Sequence, residues 1–169
     1  MAFVSKITFK GLLLIIVTST IISSCIQSQK FPDEPQIEFV AYTFTDSMDL
    51  LTNVTHLGLL TIRFTDGDGD IGLYQSETQY PYDFNIFIYR IGISAGAPVL
   101  TDMDTLNFRI PYLTPESQNK TLRGEIDIDI NLYKDQIPKY PYDTMYYELY
   151  IKDRALHVSN IITTPEIVL

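Results

Sequence analysis

Three aspartates alternate with glycines in the stretch Phe64–Gly72, which reads FTDGDGDIG. On an extended strand Asp66, Asp68 and Asp70 would share one face and repel one another, whereas a glycine-rich turn lets their carboxylates converge. Converging carboxylates are costly unless a cation lies among them. Calcium suits this donor set, because it takes many oxygen ligands in irregular geometry. The stretch therefore predicts a calcium site with these three aspartates as ligands.

The spacing of the acids resembles the first half of an EF-hand loop, in which the three aspartates would occupy positions one, three and five. On that pattern Gly72 supplies the backbone carbonyl at position seven, and Glu77 falls on position twelve. Asp83 is a further candidate to complete the coordination shell. Ile71 stands where the EF-hand has its glycine, and the preceding residues predict a strand rather than a helix, so we expect a calcium loop between strands. The alternative is a solvated acidic turn, because Asp-Gly dipeptides form hairpin turns without metal.

Other catalytic or metal chemistry has little support in the residue types. Zinc is disfavoured, because the protein has one cysteine and two histidines, His56 and His157. A phosphate site is disfavoured, because GDGDIG carries acids where a phosphate needs neutral or basic groups. Neither histidine has a neighbouring nucleophile motif, and alternation places Asp127 and Asp129 on a solvated strand face. We therefore expect no enzyme activity, with a hydrolase as the alternative.

The first 24 residues are organised like a secretory signal peptide. A basic end with Lys6 and Lys10 precedes the apolar run Gly11–Val17, and small and polar residues follow. The exit Ile22–Cys25 resembles a bacterial lipobox, in which the chain is cut before the cysteine and the new N-terminal Cys25 is acylated. This resemblance implies a lipid-anchored outer-membrane protein, on the cell surface or the periplasmic face. The alternative is a secreted protein with a free thiol.

Loss of the signal peptide removes two lysines and takes the net charge from −9 to −11. So acidic a chain repels nucleic acid, and we exclude nucleic-acid partners. Residues 25–36 are polar with two prolines and predict a tether between the lipid and the domain. Residues 37–169 have the length of one domain, and their many tyrosines and phenylalanines favour strands over disorder.

Alternating or short apolar runs between turn residues predict an all-β domain. The seven predicted strands cover residues 37–45, 55–65, 83–91, 105–110, 122–132, 145–152 and 157–163. Seven strands in one domain favour a β-sandwich. Its topology would bring the acidic loop, the connection 111–121, the turn Asp153–His157 and the tether to one pole. Calcium would there either rigidify the membrane-proximal end or bridge to a partner.

The segment 146–160, YYELYIKDRALHVSN, resembles the last hairpin of immunoglobulin or fibronectin type III domains in bacterial surface proteins. Strand order and spacing are similar to that architecture, although the antibody-type disulfide and tryptophan are missing. With its lipobox and acidic loop, the chain resembles outer-membrane lipoproteins of Bacteroidota that carry one immunoglobulin-like domain. The resemblance implies a non-enzymatic binding or accessory module that docks on an outer-membrane protein complex.

An adhesive or glycan-binding surface module is the alternative function. The sequence YPYD occurs twice, at Tyr80–Asp83 and Tyr140–Asp143, and exposed tyrosines of both copies would then bind the glycan. Three Asp-Ser/Thr-apolar triplets also resemble the O-glycosylation acceptors of Bacteroidota. Their acceptor residues are Ser47, Thr105 and Thr144.

Overall fold

The computed structural model describes residues 30–48, 54–99, 105–113, 120–133, 142 and 144–168. The predicted signal peptide and Cys25 lie outside the described residues, as does the second YPYD copy except for Tyr142. Among the described residues, no helix is both long enough and apolar enough to span a membrane.

The described residues form nine strands in two antiparallel sheets, which confirms the all-β class. The strands are β1 (Gln36–Met48), β2 (Val54–Asp66), β3 (Ile86–Ser94), β4 (Ala97–Val99), β5 (Thr105–Phe108), β6 (Leu122–Tyr133), β7 (Thr144–Ile151), β8 (Ile162–Thr163) and β9 (Ile167–Val168). The first sheet has the order β1-β2-β6. In the second sheet β3 pairs with β7, β4 and β5 lie on the outer edge of β3, and β8 and β9 lie on the outer edge of β7.

The core lies between the two sheets, because their strands alternate buried and solvent-facing residues. Along β7 every second side chain is buried, from Met145 to Ile151. These side chains and those of β3 join one apolar cluster with Leu60 and Ile62 of the first sheet. Each fully buried aliphatic side chain contributes about 1.5–3 kcal/mol. Two sheets that share one apolar core are consistent with the expected β-sandwich.

Two predicted strands differ from the observed ones because side chains capture the backbone. The predicted third strand started at Asp83, but β3 begins at Ile86, and the Arg109 guanidinium binds the carbonyls of Tyr82 and Asp83 at 2.7 Å. The predicted seventh strand, 157–163, is reduced to β8 and a single bridge. Within it the N–H of His157 donates to Asp153 Oδ1 at 2.7 Å, and the carbonyl of Asn160 accepts the Ser159 hydroxyl at 2.8 Å. The Asn160 side-chain amide binds the N–H and C=O of Ile37 in β1, at 2.8 and 2.9 Å.

One end of the molecule, here called the tether pole, gathers strand ends from both sheets. At this pole β1 begins, β2 ends and β6 begins, with Thr65 paired to both Gln36 and Arg123. The acidic loop leaves the sheet from this point, immediately after Thr65 and Asp66.

Candidate metal centre

The acidic loop, residues 66–72, begins at the last residue of β2. Gly69 and Gly72 have φ angles of 69° and 95°, in the left-handed region that glycine tolerates best. A Cβ built on Gly69 would overlap the carbonyl oxygen of Lys120, and one on Gly72 would overlap that of Pro111. The two glycines therefore allow both the sharp turn and the close approach of neighbouring backbone.

Backbone amides orient two of the loop carboxylates. Asp66 is fully buried, and its Oδ2 accepts a hydrogen bond of 2.8 Å from the N–H of Ile71. The Oδ2 of Asp70 accepts one of 3.0 Å from the N–H of Ala155. The Oδ1 atoms of Asp66, Asp68 and Asp70 are all buried and have no hydrogen-bond partner. An unsatisfied buried oxygen costs about 1–3 kcal/mol and more when charged, so three together form a group that could hold a cation.

A fourth carboxylate comes from a distant part of the chain. Asp153 follows β7 and is 1% exposed. One oxygen each from Asp66, Asp70 and Asp153 lie within 4.8 Å of one another. A single ion can contact all three, because calcium binds oxygens at about 2.4 Å and opposite ligands then lie about 5 Å apart. Asp68 lies outside this group of three, but its charge helps to raise the pKa of Asp66 and of Asp70, and its Oδ1 is buried without a partner. Asp66, Asp68, Asp70 and Asp153 are called the aspartate cluster below.

His157 holds the carboxylate of Asp153 in place. The Oδ1 of Asp153 accepts a 2.7 Å hydrogen bond from the backbone N–H of His157, and its Oδ2 lies 2.8 Å from Nδ1 of the same residue. Hydrogen bonding and charge from Asp153 raise the pKa of His157. His157 thus orients the carboxylate of Asp153, as the N–H of Ile71 orients that of Asp66.

Burial and mutual repulsion disfavour the charged forms of the aspartates in the cluster. Burial raises the pKa of Asp66 to about 6, against the hydrogen bond from Ile71, and the other three aspartates add to the rise. Burial is also the main cause of the raised pKa values of Asp70 and Asp153. A divalent cation would offset both effects by stabilising the charged forms.

The side chains of two predicted ligands, Glu77 and Asp83, accept hydrogen bonds from nearby backbone N–H groups. The Oε2 of Glu77 accepts a 2.6 Å hydrogen bond from the N–H of Tyr74, which closes a local turn. The Oδ1 of Asp83 accepts one of 3.1 Å from the neighbouring N–H of Phe84. The group of carboxylates within 4.8 Å of one another contains neither residue. Gly72 serves the loop by its conformation and its close packing on Pro111.

The predicted gathering of four segments at the tether pole is confirmed. From the tether, the carbonyl of Pro32 accepts a 2.8 Å hydrogen bond from Gly67. From residues 111–121, the N–H of Tyr112 donates to Leu73 at 3.0 Å. From the last turn, the N–H of Ala155 donates to Asp70. The acidic loop, with Leu73 directly after it, therefore contacts the other three segments.

A cationic and aromatic layer covers one side of the loop. The rings of Tyr74 and Tyr112 stack with centroids 4.3 Å apart. The guanidinium of Arg154 lies 4.7 and 4.9 Å from these two centroids. Its positive charge lowers the pKa of Asp70, although burial of that carboxylate has the larger, opposite effect. One guanidinium charge offsets only part of the charge of the aspartate cluster.

The other predicted sites occupy different surroundings. Thr105 is exposed at the start of β5, while Ser47 and Thr144 are half-buried near strand ends. Tyr80 of the first YPYD copy is 88% exposed, and its counterpart lies outside the described residues. Tyr82 of the same copy is half-buried, whereas its counterpart Tyr142 is 6% exposed and belongs to the core.

A substitution at Gly69 should show how tightly the loop is packed. We expect Gly69→Ala to destabilise the fold more than Gly96→Ala, which serves as the matched control. Both glycines have positive φ, so both alanines cost about 1 kcal/mol of backbone strain. Only at Gly69 does the new Cβ also overlap backbone, whereas nothing lies within 4 Å of it at Gly96. Urea unfolding of the two variants measures the difference, and equal losses would contradict the packing.

No protein-family model, curated protein or solved structure matches this chain. The aspartate cluster and the surfaces around it therefore carry the functional argument.

Proposed function

We propose that this protein is a non-enzymatic lipoprotein of the bacterial cell envelope, in which calcium stabilises the tether pole of an immunoglobulin-like binding module. Acylated Cys25 anchors it to the outer membrane, and the module docks on an outer-membrane protein complex. The observation that carries the calcium part is the set of three buried carboxylate oxygens without a hydrogen-bond partner.

Calcium suits the donor set better than other biological cations. All four side chains of the aspartate cluster offer carboxylate oxygens, which are hard ligands. Zinc prefers cysteine and histidine, and the nearest imidazole, of His157, binds Asp153 through its Nδ1. Magnesium keeps several waters in a regular octahedron. An enclosed group of four acids favours the larger, more adaptable ion.

Burial of the ligand oxygens supports a structural role for the ion. Asp66 and Asp153 are essentially inaccessible to solvent, and the unpartnered oxygens of Asp68 and Asp70 are buried too. An ion among them would be enclosed by its own chain and would not bridge to another protein. Calcium at this site would thus hold the four segments of the tether pole together.

The outer face of the second sheet supports a role in binding. Phe87 and Tyr150 stack there at 5.0 Å between centroids, with Tyr89 at 6.4 Å from Tyr150. The Nζ of Lys152 lies 4.8 Å from the Phe87 centroid. Aromatic side chains on a half-buried outer face are typical of protein interfaces.

Calcium binding can be tested on the purified chain lacking its signal peptide. We expect isothermal titration to give one calcium per chain, and calcium to raise the melting temperature above that in chelator. Magnesium at the same concentration should stabilise less. An unchanged melting temperature with chelator and with calcium, and no bound metal by elemental analysis, would refute the calcium site.

Docking can be tested by crosslinking in native membranes followed by purification. A stoichiometric outer-membrane partner supports the accessory role. Absence of such a partner together with glycan-array binding would favour the adhesive alternative, for which the 88% exposed Tyr80 is the specific support. In that case Tyr80→Ala should weaken glycan binding, while Met48→Ala serves as a control at another exposed apolar side chain.

A further inference from the structure

The end of the tether lies directly against the aspartate cluster. Gly67, between the ligands Asp66 and Asp68, donates its N–H to the carbonyl of Pro32 at 2.8 Å. A Cβ built on Gly67 would overlap the carbonyl oxygens of Phe31 and Pro32. Glycine is required here for backbone approach, because only a residue without a side chain leaves room for the tether.

The carbonyl group of Gly67 also makes a hydrogen bond to the domain. The carbonyl of Gly67 accepts a 3.0 Å hydrogen bond from the Thr121 hydroxyl. Phe31 lines a groove of about 450 Å³ together with Arg63 and Arg123, and Pro35 is buried. The tether from Phe31 onward is therefore docked on the domain instead of extended away from it.

We infer that the ion in the aspartate cluster is a latch that fixes the tether to the domain. This inference rests on the calcium site of the proposed function and adds the element that calcium controls. With the ion bound, Asp66 is held to one point with Asp70 and Asp153, and the N–H of Gly67, the residue after Asp66, faces Pro32. Without it, repulsion among buried carboxylates drives these side chains apart and turns the Gly67 peptide. The hydrogen bond to Pro32 is then lost, and Phe31 leaves its groove.

Loss of the ion should free the tether only as far along the chain as about Pro35. The start of β1 is held independently, because the Asn160 side chain binds both the N–H and the C=O of Ile37. With the tether docked, residues 25–30 allow at most about 20 Å between an acyl-Cys25 and the domain. With the tether released, residues 25–35 allow nearly 40 Å. Calcium would thus set the distance and orientation of the domain at the membrane.

Limited proteolysis can follow the latch in the unmodified chain. A lysine-specific endoprotease cleaves the Lys30–Phe31 bond only when the tether is locally open. On the purified chain lacking its signal peptide, we expect calcium to slow cleavage there about tenfold. Cleavage after Lys152, which directly follows β7, reports general unfolding, which calcium also slows. In chelator we therefore expect cleavage after Lys30 to be much faster than cleavage after Lys152, because the tether opens while the domain stays folded. A flexible lysine peptide in the same tube corrects for any effect of calcium on the protease.

The variant Gly67→Ala tests docking of the tether separately from calcium binding. Its four carboxylates are intact, so calorimetry should still detect calcium binding, but the added Cβ displaces the tether. We expect fast cleavage after Lys30 with and without calcium, in a protein whose circular dichroism matches the wild type. Calcium-dependent protection of Lys30 that persists in Gly67→Ala would overturn the latch.

Different results would refute the latch and the calcium site. If wild-type protein binds calcium and cleavage after Lys30 is equally fast in calcium and in chelator, the latch is wrong and the calcium site stands. If calorimetry detects no calcium binding, the calcium site fails and the latch fails with it.

Discussion

The variant Asp66→Asn should lose calcium-dependent stability and yet be more stable than the wild type in chelator. Asn retains an oxygen that can accept the hydrogen bond from Ile71, so the turn is preserved. Removing the charge relieves the burial of a carboxylate, and the smaller repulsion from neighbouring aspartates, which together raise the pKa of Asp66 in the folded protein. We expect a gain of roughly 1–2 kcal/mol in chelator at neutral pH.

The same substitution removes a charged ligand from an enclosed site. Loss of one carboxylate should weaken calcium binding by about a hundredfold, since a factor of ten corresponds to about 1.4 kcal/mol. The melting temperature of Asp66→Asn should then hardly differ between calcium and chelator. Opposite effects in the two conditions distinguish a metal ligand from a purely structural carboxylate.

Chemical unfolding and calorimetry, each in calcium and in chelator, measure both effects. The control is Asp129→Asn, which removes the same charge from the exposed face of β6. It should leave calcium affinity and the calcium-induced shift intact. If Asp66→Asn is equally destabilised in both conditions and binds calcium normally, Asp66 is no ligand.

The pH dependence of stability should reverse the usual pattern of folded proteins when calcium is absent. Most carboxylates have lowered pKa values in the folded state and lose stability in acid. Burial instead raises the pKa of Asp66 from its ordinary 3.8 to about 6. Between these values the folded chain keeps a proton that the unfolded chain has released. Stability in chelator should therefore fall as pH rises through this window and stay low above it.

The raised pKa values of Asp70, Asp153 and His157 also make stability fall as pH rises. Burial also raises the pKa of Asp70 and Asp153, so both disfavour the folded state once ionised. The raised pKa of His157, caused mainly by its hydrogen bond to Asp153, adds stability that is lost as pH rises through that folded value. For Asp66 alone the expected loss is roughly 2 kcal/mol between pH about 4 and pH about 7.

Calcium should abolish this loss at neutral pH, because it stabilises the ionised carboxylates. Protons compete with the ion, so calcium affinity should decline below pH about 6, and the two stability curves should meet in acid. Urea unfolding across pH 4–8, with calcium and with chelator, gives both curves. A chelator curve that rises from pH 4 to 7 would contradict the raised pKa of Asp66.

Much of the strand pattern could be predicted because alternation is a local property. The interiors of β1, β2, β6 and β7 match the predicted strands within a few residues. One boundary failed where a distant side chain took the backbone bonds, as Arg109 does with the carbonyls of Tyr82 and Asp83 before β3. Such captures join residues that are distant in the chain, and no local period signals them.

The candidate site was predictable in part for the same reason. The Asp-Gly alternation itself requires a turn, so the grouping of Asp66, Asp68 and Asp70 follows from local chemistry. The sequence did not point to Asp153 as a member of the cluster, although the turn that carries it was expected at the same pole. Its only sequence signal was an acid at the end of a predicted strand, which is common on solvated surfaces.

The sequence by itself determined the all-β class, the acidic turn and the three carboxylates that it brings together. Only the tertiary structure decided that Asp153 joins Asp66 and Asp70, that Glu77 and Asp83 do not, and that the tether docks against Gly67. The physical reason is that backbone preferences act over a few residues, whereas burial and coordination depend on packing. The hydrogen bond between Asp70 and Ala155 joins residues 85 positions apart, and only the packing of both sheets places them together.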